Sequence, residues 1–154
     1  IQVEHPVTEM ITGVAIVKEQ IRIAEGRPLS FTQDQIKPMG HAIEIRVNAE
    51  DPQDNFKPMA GRIEGLHFPG GNGVRIDSFV YQGYQIQPFY DSMIAKVIVH
   101  AQNRDDAMEK AIRCMEEIDL DGLVTNVDFQ LEILLSEAFQ DNLYDTSLVK
   151  QLLG

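Results

Sequence analysis

Residues 41–50, His-Ala-Ile-Glu-Ile-Arg-Val-Asn-Ala-Glu, decide the fold class because apolar and polar side chains alternate along them. Successive side chains of a β-strand point to opposite faces of its sheet, so the pattern predicts a strand with one apolar and one polar face. The apolar face carries Ile43, Ile45, Val47 and Ala49, and the polar face carries Glu44, Arg46, Asn48 and Glu50. A sheet with one face in the core and one in solvent is typical of antiparallel architectures.

The rest of the chain supplies further strands and several helices. Strands are predicted at 61–68, 74–78 and 93–100, the last as a buried strand, and at 1–5, where Pro6 ends the alternation. Helices are predicted at 14–25, after an Asn103 cap, after a Thr125 cap, and at 147–153. These elements predict an α+β fold in which helices flank an antiparallel sheet.

Composition excludes several classes of protein. The chain has 154 residues and a formal net charge of −11, which disfavours binding to nucleic acid or to an anionic membrane. Its apolar runs are far shorter than the roughly 20 residues of a membrane-spanning helix. Cys114 is the single cysteine, so an intrachain disulfide is impossible, and the expected compartment is the cytoplasm.

A domain boundary is expected near residue 38. Residues 27–40 hold Pro28, Pro38 and Gly40 and few apolar anchors, so we divide the chain into a segment 1–38 and a domain 39–154. The chain begins at Ile1 with residues that predict a strand, and we therefore expect it to be a fragment of a longer protein.

Two polar strand faces are the candidates for chemistry. Gln2 and Glu4 share one face, and Glu44, Arg46 and Asn48 share another. Each face is either a solvated sheet surface or part of an anion-binding site, and the pattern leaves both open. No metal site is predicted because the four histidines are scattered, and Cys114 lies within a helix as a small core residue.

Four sequence blocks resemble the biotin carboxylase component of biotin-dependent carboxylases, most closely the acetyl-CoA carboxylase subunit. They occur in the family's order and span nearly the whole chain. The blocks are Gln2-Val3-Glu4-His5-Pro6-Val7-Thr8-Glu9, the run His41 to Pro52, the run Phe89 to Val97, and Asp121-Gly122 with Thr125-Asn126. The resemblance implies that residues 1–38 are the end of an ATP-grasp domain and that 39–154 form the biotin carboxylase C-terminal domain.

The resemblance also implies roles for individual residues. Glu4 matches the base that takes the proton of bicarbonate, and Gln2 and Val3 match groups that bind and orient bicarbonate. Arg46 matches the catalytic residue that binds biotin at its ureido oxygen. Because a free glutamate has a pKa of about 4.3, Glu4 needs nearby cations or burial to act as a base.

Other matched residues are expected to be supportive. Glu44 and Asn48 are predicted to hold Arg46 in place, and Lys96 is predicted to form an internal salt bridge. Arg75 is a candidate contact between subunits, because members of the family often form homodimers.

The implied whole enzyme uses ATP and bicarbonate to form carboxyphosphate, which carboxylates biotin. It needs Mg2+ or Mn2+, whose ligands are expected before Ile1, so this chain alone is expected to bind no cofactor and to be inactive. Carrier-bound biotin is its substrate, and a biotin carboxyl carrier protein and a carboxyltransferase component are its partners. The resemblance leaves three acceptors of the carboxyl group open: acetyl-CoA, propionyl-CoA and pyruvate. Two alternatives are a non-catalytic interaction or dimerisation module and another ATP-grasp ligase, such as a carbamoyl-phosphate enzyme.

Overall fold

The structure is a computed structural model that describes residues 1–153. The α-helices are α1 (Pro6–Thr12), α2 (Ile16–Ala24), α3 (Arg104–Glu117), α4 (Val127–Leu135), α5 (Glu137–Gln140) and α6 (Leu148–Leu153). The strands are β1 (His41–Asn48), β2 (Glu50–Asp51), β3 (Lys57–Pro58), β4 (Gly61–Arg62), β5 (Gly65–His67), β6 (Val74–Ser78), β7 (Gln85–Ile86), β8 (Met93–Ala101) and β9 (Asp119–Asp121). Short 3-10 turns cover Gln33–Gln35 and Pro52–Asp54.

The main sheet has three antiparallel strands in the order β1-β8-β6. Ile45 of β1 is opposite Val97 of β8, which is opposite Ile76 of β6. Ile45 and Val97 are buried in the main apolar cluster, and Ile76 packs against it. The predicted apolar face of residues 41–50 is therefore confirmed as the core face of the sheet.

Helix α3 covers that core face. It buries Ala107, Met108, Ala111, Cys114 and Met115, all of which are at most 6% exposed. Asn103 caps the helix, as predicted, by accepting a hydrogen bond from the Asp106 backbone N–H at 2.9 Å. Cys114 is a buried free thiol, and its burial raises the pKa of the thiol.

The α+β class and the antiparallel sheet are confirmed, but residues 1–5 do not form the predicted strand. Instead, the His5 N–H bonds the Gln2 carbonyl and the Val7 N–H bonds the Glu4 carbonyl, which makes a turn leading into α1. Pro6 occupies the start of α1, where its missing N–H costs nothing. No other strand among residues 1–153 pairs with this segment, so an extended conformation would leave its backbone groups without partners.

Two further predictions differ in detail. The strand predicted at 61–68 is broken into β4 and β5, because β4 pairs with β7 whereas β5 pairs with β9. Ile63, between them, is completely buried in the core. Helix α4 has Asn126 at its cap position rather than the predicted Thr125, and the Asn126 side chain makes no capping bond but accepts a hydrogen bond from the Asn48 N–H of β1. Helices α2 and α6 lie within their predicted ranges.

None of the helices in residues 1–153 combines the length and the apolar character that crossing a membrane requires.

Core packing predicts a large stability loss at Ile45. The change Ile45→Ala removes a side chain that is 4% exposed and leaves a cavity, so the free energy of unfolding should fall by about 2–5 kcal/mol. Urea unfolding of the 154-residue chain measures this loss. The control is Ile21→Ala on α2, whose side chain is 56% exposed and whose loss should cost less than about 0.5 kcal/mol. Equal losses for the two variants would contradict the assigned core.

Candidate active site

The polar face of the main sheet carries two rows of side chains. In the first row Arg46 of β1 is opposite Lys96 of β8, which is opposite Asp77 of β6. In the second row Glu44 is opposite Ile98, which is opposite Arg75. Directly opposed residues of antiparallel strands share a face, so five charged groups lie on one surface around a single apolar residue.

Helix α1 packs on this polar face. The Arg75 Nη1 group donates to Glu9 Oε2 at 2.8 Å and so joins β6 to the middle of the helix. The turn that contains Gln2, Val3 and Glu4 immediately precedes α1. Gln2 and Glu4 are exposed and Val3 is half-buried. The predicted N-terminal site residues therefore lie at the end of a helix that is attached to the face carrying Arg46.

Glu44 lies on the edge strand β1, two residues from Arg46 on the same face. Burial raises the pKa of its carboxyl group, whereas the charges of Lys96 and Arg46 lower the pKa and those of Asp77 and Glu4 raise it. Glu4 is thus close enough to Glu44 for their charges to interact. Glu44 Oε2 is buried and has no hydrogen-bond partner among the described residues. The site therefore holds a carboxylate whose negative charge is disfavoured by the surrounding fold.

Arg46 is fixed through its backbone and keeps its side chain exposed. The Asn126 Nδ2 group donates to the Arg46 carbonyl at 3.2 Å, and the Asn48 N–H donates to Asn126 Oδ1 at 2.8 Å. Asn126 is 3% exposed, so its amide acts as a buried partner for the outer edge of β1. The guanidinium of Arg46 remains available to an anionic or carbonyl group of a ligand.

The predicted support of Arg46 by Glu44 and Asn48 involves no hydrogen bond to the Arg46 side chain in residues 1–153. Glu44 acts on Arg46 through charge, and the Asn48 Nδ2 group instead donates to Glu50 Oε2 at 3.2 Å. Asn48 Oδ1 is buried and unpartnered among the described residues. Glu44 and Asn48 flank Arg46 on the same face, whereas the Asn126 side chain hydrogen-bonds the backbone carbonyl of Arg46.

A chain of ion pairs continues from Arg75 toward Arg46. Arg75 binds Asp77 with two hydrogen bonds of 2.8 Å, and Lys96 Nζ lies 3.6 Å from Asp77 Oδ2. The internal salt bridge predicted for Lys96 is confirmed. Hydrogen bonding to Arg75 lowers the pKa of both Asp77 and Glu9, and the two carboxylates raise the pKa of Arg75.

Three residues of this site, Glu9, Asp77 and Asn126, were not among the predicted site residues. Glu9 and Asn126 fall inside the quoted blocks, but nothing in their local spacing shows which partner they bind. Asp77 alternates with Arg75 on β6, which indicates a shared face but not an ion pair. Each acts through a contact with a residue distant in sequence.

The charges on this face suit an anionic ligand better than a metal ion. Arg46 and Lys96 lie side by side on neighbouring strands, and Arg46 is exposed. Within residues 1–153, no three His, Cys, Asp or Glu side chains are grouped as metal ligands. Lys96 is already paired with Asp77, so the exposed Arg46 guanidinium is the group on this face that is best placed to meet a small oxyanion.

Two family models match most of the chain. Residues 44–151 match the family described as "Biotin carboxylase C-terminal domain". Residues 1–32 match the family described as "Carbamoyl-phosphate synthase L chain, ATP binding domain".

Curated relatives match over the whole chain. Biotin carboxylase of Haemophilus influenzae is 51% identical over 154 residues, which are 100% of this chain and 34% of that protein. A pyruvate carboxylase subunit of Methanothermobacter thermautotrophicus is 50% identical over 151 residues, which are 98% of this chain and 31% of that protein. The chain spans about a third of the length of these relatives.

Solved structures show the same fold. The biotin carboxylase domain dimer of Hydrogenobacter thermophilus 2-oxoglutarate carboxylase, in complex with MgADP, ADP and bicarbonate, superposes with a TM-score of 0.95. It is 44% identical and covers 98% of this chain, which corresponds to 33% of that chain.

The buried charge of Glu44 predicts a pH-dependent gain in stability on its removal. A carboxyl group with a raised pKa in the folded state destabilises the protein once the pH exceeds its ordinary value of 4.5. Glu44→Gln should therefore raise the free energy of unfolding at pH 7, and the gain should vanish as the pH falls below 4.5.

Urea unfolding at pH 4, 5, 6 and 7 measures this dependence, with Glu109→Gln on the exposed side of α3 as the control. A gain that is independent of pH, or a loss at pH 7, would show that Glu44 is not a disfavoured charge.

Proposed function

The chain belongs to the biotin carboxylase C-terminal domain family, and from this membership we propose that it is part of an enzyme that carboxylates biotin with ATP and bicarbonate. The observation that carries the proposal is the shared polar face. Arg46 and Lys96 lie side by side on it, and the turn bearing Glu4 precedes the helix packed over it. The face thus carries these two cations, and the carboxylate of Glu4 lies at the start of the helix that covers it; we assign these groups to the acid-base steps of this reaction.

In the first step, a bicarbonate oxygen displaces ADP from the γ-phosphorus of ATP and forms carboxyphosphate, and Mg2+ or Mn2+ would accompany the nucleotide. We assign the removal of the bicarbonate proton to Glu4. Gln2 and the Val3 backbone bind and orient the anion so that its proton faces the Glu4 carboxylate. Glu4 is exposed in this chain. We therefore expect nearby cations, rather than burial of Glu4, to promote the proton transfer by making the bound bicarbonate more acidic.

In the second step, the bond between the carboxyl carbon and the phosphate oxygen of carboxyphosphate breaks, phosphate leaves and takes the N1 proton of carrier-bound biotin, and N1 bonds the carboxyl carbon. We assign Arg46 to the ureido oxygen, which becomes negative when N1 loses its proton. The guanidinium stays protonated and offers a fixed pair of donors, and the backbone bonds from Asn126 hold its strand. One such donor is typically worth about 3–4 kcal/mol in the transition state.

We also propose the division into residues 1–38, from an ATP-grasp domain, and 39–154. The two family matches, at 1–32 and 44–151, support a boundary between them. Helix α2 supports it too, because Val17, Ile21 and Ile23 on that helix are each more than half exposed. Such an apolar surface fits a segment that packs against the rest of a larger domain.

The proposed partners follow from the reaction. A biotin carboxyl carrier protein delivers biotin, and a carboxyltransferase component passes the carboxyl group on. The proposed assembly is a homodimer, supported by the dimer of the Hydrogenobacter thermophilus domain. We place the enzyme in the cytoplasm, where the buried free thiol of Cys114 fits a reducing compartment.

For the acyl acceptor we propose acetyl-CoA, and thus a role in fatty acid biosynthesis. The sequence resemblance to the acetyl-CoA carboxylase subunit supports this choice. The test is the rate of malonyl-CoA formation against oxaloacetate formation when the whole enzyme is combined with each type of carboxyltransferase.

Substitutions at Glu4 and Arg46 test the function in the full-length enzyme. Bicarbonate-dependent ATP hydrolysis with free biotin is the assay. Glu4→Gln removes the proton acceptor and should lower kcat by about 10²–10⁴-fold. Arg46→Lys keeps the charge but loses the donor pair, and should lower kcat by about 10²–10³-fold with the KM for ATP unchanged.

The controls are Glu117→Gln and Arg113→Lys, which alter an exposed ion pair of 2.7 Å on α3 and should leave kcat unchanged. Full activity of Glu4→Gln would remove Glu4 as the base, and full activity of Arg46→Lys would remove Arg46 from the biotin step. A folded full-length protein without any activity would support a non-catalytic interaction module.

A further inference from the structure

The Glu9 carboxylate uses both of its oxygens to join three elements. Oε1 accepts a hydrogen bond from the backbone N–H of Ile16, the first residue of α2, at 2.9 Å. Oε2 accepts from Arg75 Nη1 on β6 at 2.8 Å. A single side chain in the middle of α1 therefore ties this helix both to the next helix and to the polar face of the sheet.

This contact differs from the ordinary surface ion pairs of the chain. The Glu9 side chain is 18% exposed and that of Arg75 is 36% exposed, whereas both partners of the Arg113–Glu117 pair are 42% exposed. Hydrogen bonds from Arg75 and Ile16 lower the pKa of Glu9 despite the opposing effect of burial. A largely buried carboxylate that accepts hydrogen bonds from both a guanidinium and a backbone N–H holds its geometry better than one with a single exposed partner.

The position of Glu4 depends on the helix that Glu9 anchors. The Glu4 carbonyl accepts from the Val7 N–H at 3.3 Å, and the His5 carbonyl accepts from the Glu9 N–H at 3.0 Å. Glu4 is thus bonded to the first turn of α1. Because that helix has only seven residues, a displacement of α1 would carry Glu4 with it.

The same contact reaches the row that holds Arg46. Arg75 is held by both oxygens of Asp77, and Asp77 contacts Lys96, which lies opposite Arg46 in the sheet. Glu4 is therefore connected to Arg46 through α1 and the Glu9 carboxylate. The connection continues through the charged side chains of Arg75, Asp77 and Lys96 on β6 and β8. No other salt bridge among residues 1–153 connects α1 to the main sheet.

We propose that Glu9 is a positioning residue for the reaction, which sets Glu4 against the sheet face that carries Arg46. This inference rests on the proposed function. A displacement of about 1 Å at a reacting group can lower a rate by about 10²-fold, so the loss of one anchor should be visible in kcat.

The test uses the full-length enzyme with Glu9→Gln and Glu9→Asp. Gln lacks the charge that holds Arg75, and Asp is too short to reach both donors. Each variant should lower the kcat of bicarbonate-dependent ATP hydrolysis at least tenfold and leave the KM for ATP within twofold. Glu117→Gln, which breaks the exposed pair on α3, is the matched control and should keep wild-type kcat. Size-exclusion chromatography selects samples of the same oligomeric state, and circular dichroism selects folded ones.

A second measurement separates positioning from a general structural role. Glu9→Gln is combined with Glu4→Gln, and the residual kcat is compared with that of Glu4→Gln alone. If Glu9 acts through Glu4, the second substitution should change the residual kcat by less than twofold. An equal fold-loss in both backgrounds, or wild-type kcat for both Glu9 variants, overturns the inference.

These outcomes also separate this inference from the proposed function. Loss of activity in Glu4→Gln with full activity in both Glu9 variants rejects only the positioning role. Full activity in Glu4→Gln rejects Glu4 as the base and, with it, the positioning role of Glu9. If Glu9→Gln fails to fold, the kcat of Glu9→Asp, alone and combined with Glu4→Gln, decides the question by the same criteria.

Discussion

The hydrogen bonding of β8 on both of its edges is the constraint on which the rest of this molecule depends. Pairing with β1 and β6 fixes the register of three strands, and the alternation along each strand then assigns every side chain to one of two faces. A shift of one residue in β1 would exchange Ile45 and Arg46 between the core and the solvent-facing side. The buried core and the charged site are therefore two consequences of one register.

The two faces of this sheet are stabilised in different ways. Helix α3 covers one face with apolar side chains, and the free energy there comes from removing apolar surface from water. The opposite face carries charges, and helix α1 lies on it through the pair between Glu9 and Arg75. Ile98, completely buried on this charged face, provides an apolar contact among the ion pairs. The site thus lies on the strands of the sheet, and helix α1 is attached to it by the hydrogen-bonded ion pair between Glu9 and Arg75.

The charges on this face are unequally satisfied, and this inequality fits a site for chemistry. Asp77 and Glu9 have cationic partners that lower their pKa, whereas the burial of Glu44 raises its pKa and leaves one of its oxygens unpartnered among the described residues. A protein selected only for stability would pair or remove such a group.

The sequence by itself determined the elements whose patterns are local. The alternation at 41–50 and the capped amphipathic helix after Asn103 are visible in the chain because period and cap depend on neighbouring residues. The resemblance of four blocks identified the family and pointed to Glu4 and Arg46. Tertiary structure alone decided that residues 1–5 form a turn, since a strand needs a partner that no local pattern reveals. It also decided that Glu9 binds Arg75, 66 residues away, and that Asn126 binds β1, 78 residues away, because such contacts exist only after the sheet and helices have packed.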